Sequence, residues 1–345
     1  GRADPLIDCN PPLSGAMRST PISHHLARLA SLALLPLSPS ALRAHAEWGP
    51  RTAAQTQNSS DARDLVFMHI PFNFGHTIEK VAMFKDHTTI ADLFAYISLS
   101  GGMFKSTKSI PWRAVRRWAK PNAEIWGHVH PDLQGFSNVT GCNMYFTPPK
   151  YWPEELAKEY FGNKTVFGML RDPAERLVAM FRGNAHGYGG DNNDGYFDRC
   201  DVNGGVKQML REYTKAGSNR FLSQCAFLPQ AEYFDGPHGI TLPVDNRLFP
   251  GSANKLFEEH GYRNIRITGD QDILHVKSCS EVWAADLDAE AREMIRQVYA
   301  RDYELLCKHF NYCDSTENTC IEGVRLMCPA DVMKAKKWSQ RHTAR

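Results

Sequence analysis

The run Leu65-Val-Phe-Met-His-Ile70 is stopped at once by Pro71, and Asn73 and Gly75 follow within a few residues. Six residues rich in β-formers between breakers predict a short buried strand. From Thr77 to Phe84 the spacing of Ile78, Val81, Ala82 and Phe84 predicts a helix. A strand, a tight loop and a helix in this order commit the region to an α/β fold. The joint also turns loop N–H groups, aided by the helix dipole, toward any anion placed there. Most such joints in α/β proteins bind nothing, so this stretch alone gives geometry and not function.

A second stretch repeats the grammar. Lys164-Thr-Val-Phe-Gly-Met-Leu170 predicts another buried strand, and Arg171-Asp-Pro-Ala-Glu-Arg-Leu-Val-Ala-Met-Phe181 follows it. Asp172 is suited to cap a helix whose first residue is Pro173, where a missing N–H costs nothing. The pair HIPFNFGHTIE and MLRDPAERLVAMFR resembles the two nucleotide-binding motifs of the Golgi carbohydrate sulfotransferases, in particular the heparan sulfate 2-O-sulfotransferase type. The resemblance implies a P-loop-like sulfotransferase fold, an α/β domain with a mostly parallel sheet and helices on both faces. It implies 3′-phosphoadenosine-5′-phosphosulfate (PAPS) as cofactor and a hydroxyl of a glycan as acceptor. By position, Asn73, Gly75, His76 and Thr77 take the loop that holds the 5′-phosphosulfate, and Arg171 takes the 3′-phosphate. Two positions depart from the motifs: Phe72 stands where the family has a lysine, and Ala179 where it has a serine. These substitutions define the alternative, a catalytically impaired relative that binds nucleotide or glycan without turnover. A P-loop kinase or nucleotidase is disfavoured because the sequence contains no GxxxxGK[ST].

Between the motifs, Glu124-Ile-Trp-Gly-His-Val-His130 predicts a strand that carries His128 and His130 on one face. Gly127-His-Val129 matches a Gly-His-Val of the same family, which implies that His128 is the general base for the acceptor hydroxyl. A ring that titrates near neutral pH suits that work. No third ligand accompanies the two histidines, so no metal is expected. Arg113, Arg116, Arg117 and Lys120 recur at helical spacing beside Trp112 and Trp118. Arg113 and Arg116, with His130, are the candidates for contact with an anionic glycan, against the plainer reading of a solvated basic helix face.

The 40 basic and 38 acidic residues leave a net charge of +2, which gives no electrostatic case for nucleic acid. From Met17, basic residues precede the apolar stretch Leu29–Leu37, and Ala44-His-Ala46 fits a cleavage site. The pattern predicts a signal peptide over 17–46, with 1–16 read as upstream translation and 47–63 as a linker. The stretch is far shorter than the roughly 20 residues of a spanning helix, so no membrane anchor is expected. Asn58, Asn138 and Asn163 head glycosylation sequons, and eight cysteines follow Met17 without zinc spacing. Disulfides in the secretory pathway, in the Golgi lumen or outside the cell, are therefore expected.

The remainder is coarser. A long loop is expected over Gly183–Gly205, where Asp191, Asn193 and Asp194 lack the glutamate of a calcium loop. Helices are predicted over Thr89–Ser98 and Asp286–Phe310, and a late strand over Ile265–Thr268. The resemblance extends, with gaps, over residues 64–312 and includes the Pro229-Gln230 pair. Residues 313–345 read as a cysteine-containing basic tail pinned to the domain by disulfides.

Overall fold

The computed structural model describes residues 63–84, 119–183, 195–274 and 279–334. Three strands, β1 (Leu65–Phe67), β2 (Thr165–Leu170) and β3 (Leu242–Asp245), form a parallel sheet in the order β1-β2-β3. Val66 pairs with Val166 and Met169 with Val244. All of β1 and all but the first residue of β2 are buried, which accounts for their unbroken apolar sequence.

Helix α1 (Gly75–Met83) follows β1 and helix α3 (Pro173–Gly183) follows β2. A short helix, α2 (Glu154–Tyr160), leads into β2. Asp172 caps α3 as its sequence predicts, its Oδ1 accepting from the amides of Ala174 at 2.9 Å and Glu175 at 3.2 Å. Helix α4 is Val202–Thr214, and α5 (Gly251–Glu259) follows β3. One core joins the sheet to Trp126, Phe257 and Tyr262; a second packs α3 and α4 against α6 (Ala289–Val298).

Four expectations are corrected. Residues 124–130 are not a strand: Gly127–Val129 is a 3-10 turn, and Gly127 has φ +54°, which a strand does not admit. The expected loop ending at Gly205 stops earlier, because Asp201 caps α4 by accepting from Gly204 N–H at 2.9 Å. Gly204 and Gly205 lie inside that helix despite their low propensity. Residues 265–268 are irregular; Ile265 and Ile267 are core residues, but the Ile267 amide donates to the Asn254 side chain and to no strand. The predicted helix over 286–310 is two, α6 and α7 (Ala300–Phe310), broken where Tyr299 adopts φ −109°, ψ 27°. The break lets buried Tyr299 donate its hydroxyl to the Phe227 carbonyl at 2.9 Å.

The eight cysteines form four disulfides: Cys142–Cys225, Cys200–Cys279, Cys307–Cys313 and Cys320–Cys328. The set fits an oxidising, secretory-type compartment. The last two close short local loops, so the tail is not tied covalently to the sheet. It is held by packing instead, with Ile321 and Val324 buried in the main core. Residues 313–334 thus belong to the domain. No helix among the described residues is long and apolar enough to cross a membrane. The leader, Asn58, the predicted helix over 89–98, Arg113, Arg116 and the Asp191–Asp194 stretch lie outside the described residues. Asn138 and Asn163 are exposed in turns.

Candidate functional site

The loop between β1 and α1 is bent hard. Phe72 and Phe74 adopt φ 65° and 60°, a conformation that bulky side chains rarely take. The bend leaves the amides of Asn73, Phe74, Gly75 and His76 without an acceptor among the described residues, at the N-terminus of α1. Gly75 is required there, since a Cβ would lie 2.2 Å from His69 Nε2. The Asn73 side chain faces inward, donating to the Met169 carbonyl at 2.7 Å and to Gln230 Oε1 at 2.6 Å. Thr77 is fully buried and its hydroxyl accepts from Leu274 N–H at 3.0 Å, so its side chain braces the fold.

Beneath the loop lies a histidine–carboxylate hub. Glu79, 1 % exposed, meets His69 Nδ1 through Oε1 at 2.7 Å and His76 Nδ1 through Oε2 at 2.9 Å. Its Oε1 also accepts from the His128 amide at 2.7 Å. Gly127 makes that approach possible, because a Cβ there would lie 2.0 Å from Glu79 Oε1. Burial pushes the Glu79 carboxyl up, but His69 and His76 more than offset this and hold it well below the usual carboxylate range. An ionised Glu79 accepts at both contacts, which makes each Nδ1 a donor.

His128 is brought to this hub. Its ring stands edge-on to His76, centroids 5.0 Å apart, and packs on Tyr145. Its Nδ1 is buried without a hydrogen-bond partner. Burial, then the neighbouring His76, pull its pKa down to about 3, so it is neutral at pH 7. His130 is separated from it by the turn: its ring packs on Tyr160, and its Nδ1 accepts from Asp132 N–H at 3.3 Å. The expected shared face for the two histidines is therefore not formed.

Arg171 reaches the loop from the end of β2. Its Nη1 donates to the Phe72 carbonyl at 2.9 Å, its guanidinium lies 5.4 Å from the Phe74 ring, and its Nε is 3.6 Å from Glu175. It is 4 % exposed, and Nε has no hydrogen-bond partner. Arg176, of the same motif, is wholly structural: it donates to the carbonyls of Pro71, Leu228 and Ala226. The Phe72 ring packs against the core that contains Leu177 and Phe181, so it does not stand in the loop where a lysine would. Lys80 does not replace that lysine either, since its Nζ donates to the Gln271 carbonyl at 2.9 Å. His76, with 40 % of its side chain exposed, is the basic group that the loop presents.

His69, Glu79, Gln230 and Asp302 are absent from the sequence-predicted set. Gln230 ties the two motifs together, accepting from Asn73 Nδ2 and Arg171 N–H and donating to the Arg171 carbonyl. Buried Asp302 accepts from the amides of Gln230 and Ala231. The i,i+3 spacing of His76 and Glu79 was a readable signal for that pair; the others meet only in the folded chain. His69, His76 and Glu79 also offer three ligand atoms within 4.8 Å of one another. The two short Nδ1–carboxylate contacts are complete as hydrogen bonds, and they account for the cluster without a metal.

No family model, no curated protein and no solved structure matches this chain.

Proposed function

We propose that the chain is a PAPS-dependent sulfotransferase acting on a carbohydrate hydroxyl in the Golgi lumen, and that its sheet belongs to a P-loop-like sulfotransferase fold. The observation that carries this reading is the loop of four acceptor-less amides over Asn73–His76, joined to Arg171 through the Phe72 carbonyl. Such a donor set fits a phosphate-bearing ligand, because backbone N–H groups at a helix start lack acceptors and a buried guanidinium stands beside them with its Nε outside hydrogen-bond distance of any partner.

The amides of residues 73–76 would hold the 5′ end of the nucleotide and Arg171 a phosphate at its other end. When bound, PAPS supplies an activated sulfuryl group with a bisphosphate as leaving group. His128 starts neutral, as a general base must, and takes the proton of the acceptor hydroxyl as its oxygen becomes a nucleophile. Glu79 holds the 127–129 turn through the His128 amide and so positions that ring. The free loop amides stabilise the negative charge that develops beside them. His76 contributes charge only when it is protonated, which makes it a conditional substitute for the missing lysine.

A second reading, nucleotide binding without turnover, has its own support. Phe72 puts an aromatic ring into the core in place of a mobile ammonium, and a histidine with a pKa of about 3 is a weak base. Titration with adenosine 3′,5′-bisphosphate, followed by transfer of labelled sulfate from PAPS to a panel of glycans, separates the two. Binding with turnover that is lost in His128→Ala is expected. Binding without turnover on any acceptor would leave the second reading.

A further inference from the structure

Among the described residues four large apolar side chains are exposed, and two of them, Phe136 at 49 % and Val139 at 64 %, flank Asn138. Asn138 heads a sequon, and the run reads Phe136-Ser-Asn-Val-Thr140. A single exposed apolar residue needs no explanation, but two beside one modifiable side chain describe a surface that something covers.

The run is the tip of a tight hairpin. The Ser137 amide donates to the Cys142 carbonyl and the Gly141 amide to the Ser137 carbonyl, both at 2.8 Å, and Phe136 bridges Asn143 in antiparallel fashion. Gly141 turns the chain at φ +73°, where a side chain would be strained. The Ser137 Oγ braces the tip, accepting from the amides of Val139 at 3.3 Å and Thr140 at 3.2 Å. An asparagine in a turn often makes such bonds itself. Here Ser137 makes them, and the exposed Asn138 side chain has no hydrogen-bond partner among the described residues.

Thr140, by contrast, is 6 % exposed; its hydroxyl accepts from Cys142 N–H at 3.2 Å and meets Thr147 Oγ1 at 3.2 Å. Cys142 is fully buried in its bridge to Cys225. A transferase that reads the sequon through the threonine hydroxyl therefore cannot reach it once this hairpin has formed. The sequon at Asn163 differs. Asn163 is exposed, but the apolar residues on either side of it, Phe161 and Val166, are buried, and the Thr165 hydroxyl donates to Asp64 Oδ2 at 2.9 Å.

We infer that Asn138 is an N-glycosylation site, filled before the Cys142–Cys225 bridge closes, and that its first sugar lies over Phe136 and Val139. The sugar thereby stabilises the hairpin that leads into Tyr145, the ring on which His128 packs. In the transfer, Asn138 Nδ2 bonds to the anomeric carbon of an oligosaccharide linked to a lipid pyrophosphate. The bond from that carbon to the pyrophosphate oxygen breaks, the lipid pyrophosphate leaves with the electron pair, and Nδ2 gives up one proton to solvent. The C–H face of the pyranose then replaces water over the phenyl ring and the valine methyls. The inference rests on the secretory-pathway reading and is independent of sulfuryl transfer.

The test is glycopeptide mass mapping and thermal unfolding of the full chain, secreted from a eukaryotic host behind a host signal sequence. Asn138 should be occupied in most molecules. Asn138→Gln should lower the unfolding midpoint by about 2–4 °C, and trimming the glycan to its first sugar should not. Phe136→Ser should lower it by a similar amount in the glycosylated chain and by much less in the Asn138→Gln background. Asn163→Gln should leave it unchanged. Offered to solubilised oligosaccharyltransferase with its lipid-linked donor, the reduced and alkylated chain should be modified at Asn138, and the oxidised, unglycosylated chain should not. A bare Asn138 overturns the inference. With sugar on Asn163 and the bridges intact it does so alone; with free thiols throughout, the secretory reading falls as well. Equal effects of Phe136→Ser with and without the glycan would overturn the covering, and modification of the oxidised chain would overturn the order of events.

Discussion

Around Glu79 the hydrogen bonds are closed: one carboxylate meets three donors, from His69, His76 and the His128 amide. Around Arg171, Arg182 and Arg247 they are more open: no Nε makes a hydrogen bond, the nearest partner of the Arg171 Nε being Glu175 at 3.6 Å, and carbonyls or a carboxylate take Nη1. Both regions are buried and both contact the β1–α1 segment or its neighbours. The difference teaches what each is for. A closed network holds a shape, and here the shape is the turn that carries His128. An open network in the same core costs free energy unless something else supplies the missing partners.

The sharpest way to break this comparison is to remove the closed network. Glu79→Leu would leave three donors unmatched, the buried His69 ring and His128 amide and the half-buried His76 ring, so a loss of about 3–5 kcal/mol is expected in urea unfolding. Arg247→Lys, on the open side, should cost no more than about 1 kcal/mol without ligand. If the two costs are equal, the regions do not differ in the way described.

Gly127→Ala attacks the same hub from the backbone. A methyl group would meet Glu79 Oε1 at 2.0 Å, in a residue with φ +54°. A cost of about 1–3 kcal/mol is expected, with loss of whatever activity depends on His128. Unchanged stability would show that the turn is not clamped by the carboxylate.

Phe72 lies where the two regions meet, its carbonyl on Arg171 and its ring in the α3–α4 core. Restoring a lysine there takes the ring out of that core. Phe72→Lys should therefore cost about 1–2 kcal/mol and leave sulfate transfer at or below the level of the wild type. A faster variant would mean that the ammonium does reach the loop.

What was legible in the sequence follows the same division. The strand–loop–helix units were readable because their signals are local: Pro71 and Gly75 end and reopen structure, and Asp172-Pro173 starts a helix. Gly127 sits inside an apolar alternation that reads as a strand, and nothing nearby reveals that a carboxylate from residue 79 must pass above it. Tyr299 sits inside a good helical stripe, although its hydroxyl is claimed by a carbonyl 72 residues away. The tail reads as an appendage because the burial of Ile321 and Val324 depends on a core assembled from the rest of the chain. The unmatched arginine nitrogens are invisible in the sequence for the same reason: unmatched atoms exist only relative to a fold.

Acidification should separate the two regions by sign. His128, with a pKa of about 3 in the folded chain, stays neutral there while an unfolded histidine gains a proton below roughly pH 6.5. The unfolded state then binds more protons, so this group makes stability fall as pH drops from about 6.5 toward 3. Asp172 acts in the other direction. Burial, together with nearby Glu175, pushes its carboxyl up to about 7, whereas an unfolded aspartate keeps its charge down to roughly pH 4. Between those values the folded state holds the extra proton, so stability from this group rises as pH falls from 7 to 4. Each contribution is bounded by about 1.4 kcal/mol per pH unit, and the two partly cancel in the wild type. His128→Gln removes the first and Asp172→Asn the second, while asparagine keeps the oxygen that caps α3. Unfolding free energies at pH 7 and pH 5 should show His128→Gln less sensitive to acid than the wild type, and Asp172→Asn more sensitive, each by on the order of 1–2 kcal/mol. Shifts of the same sign in both variants would show that the two regions do not store protons in opposite states.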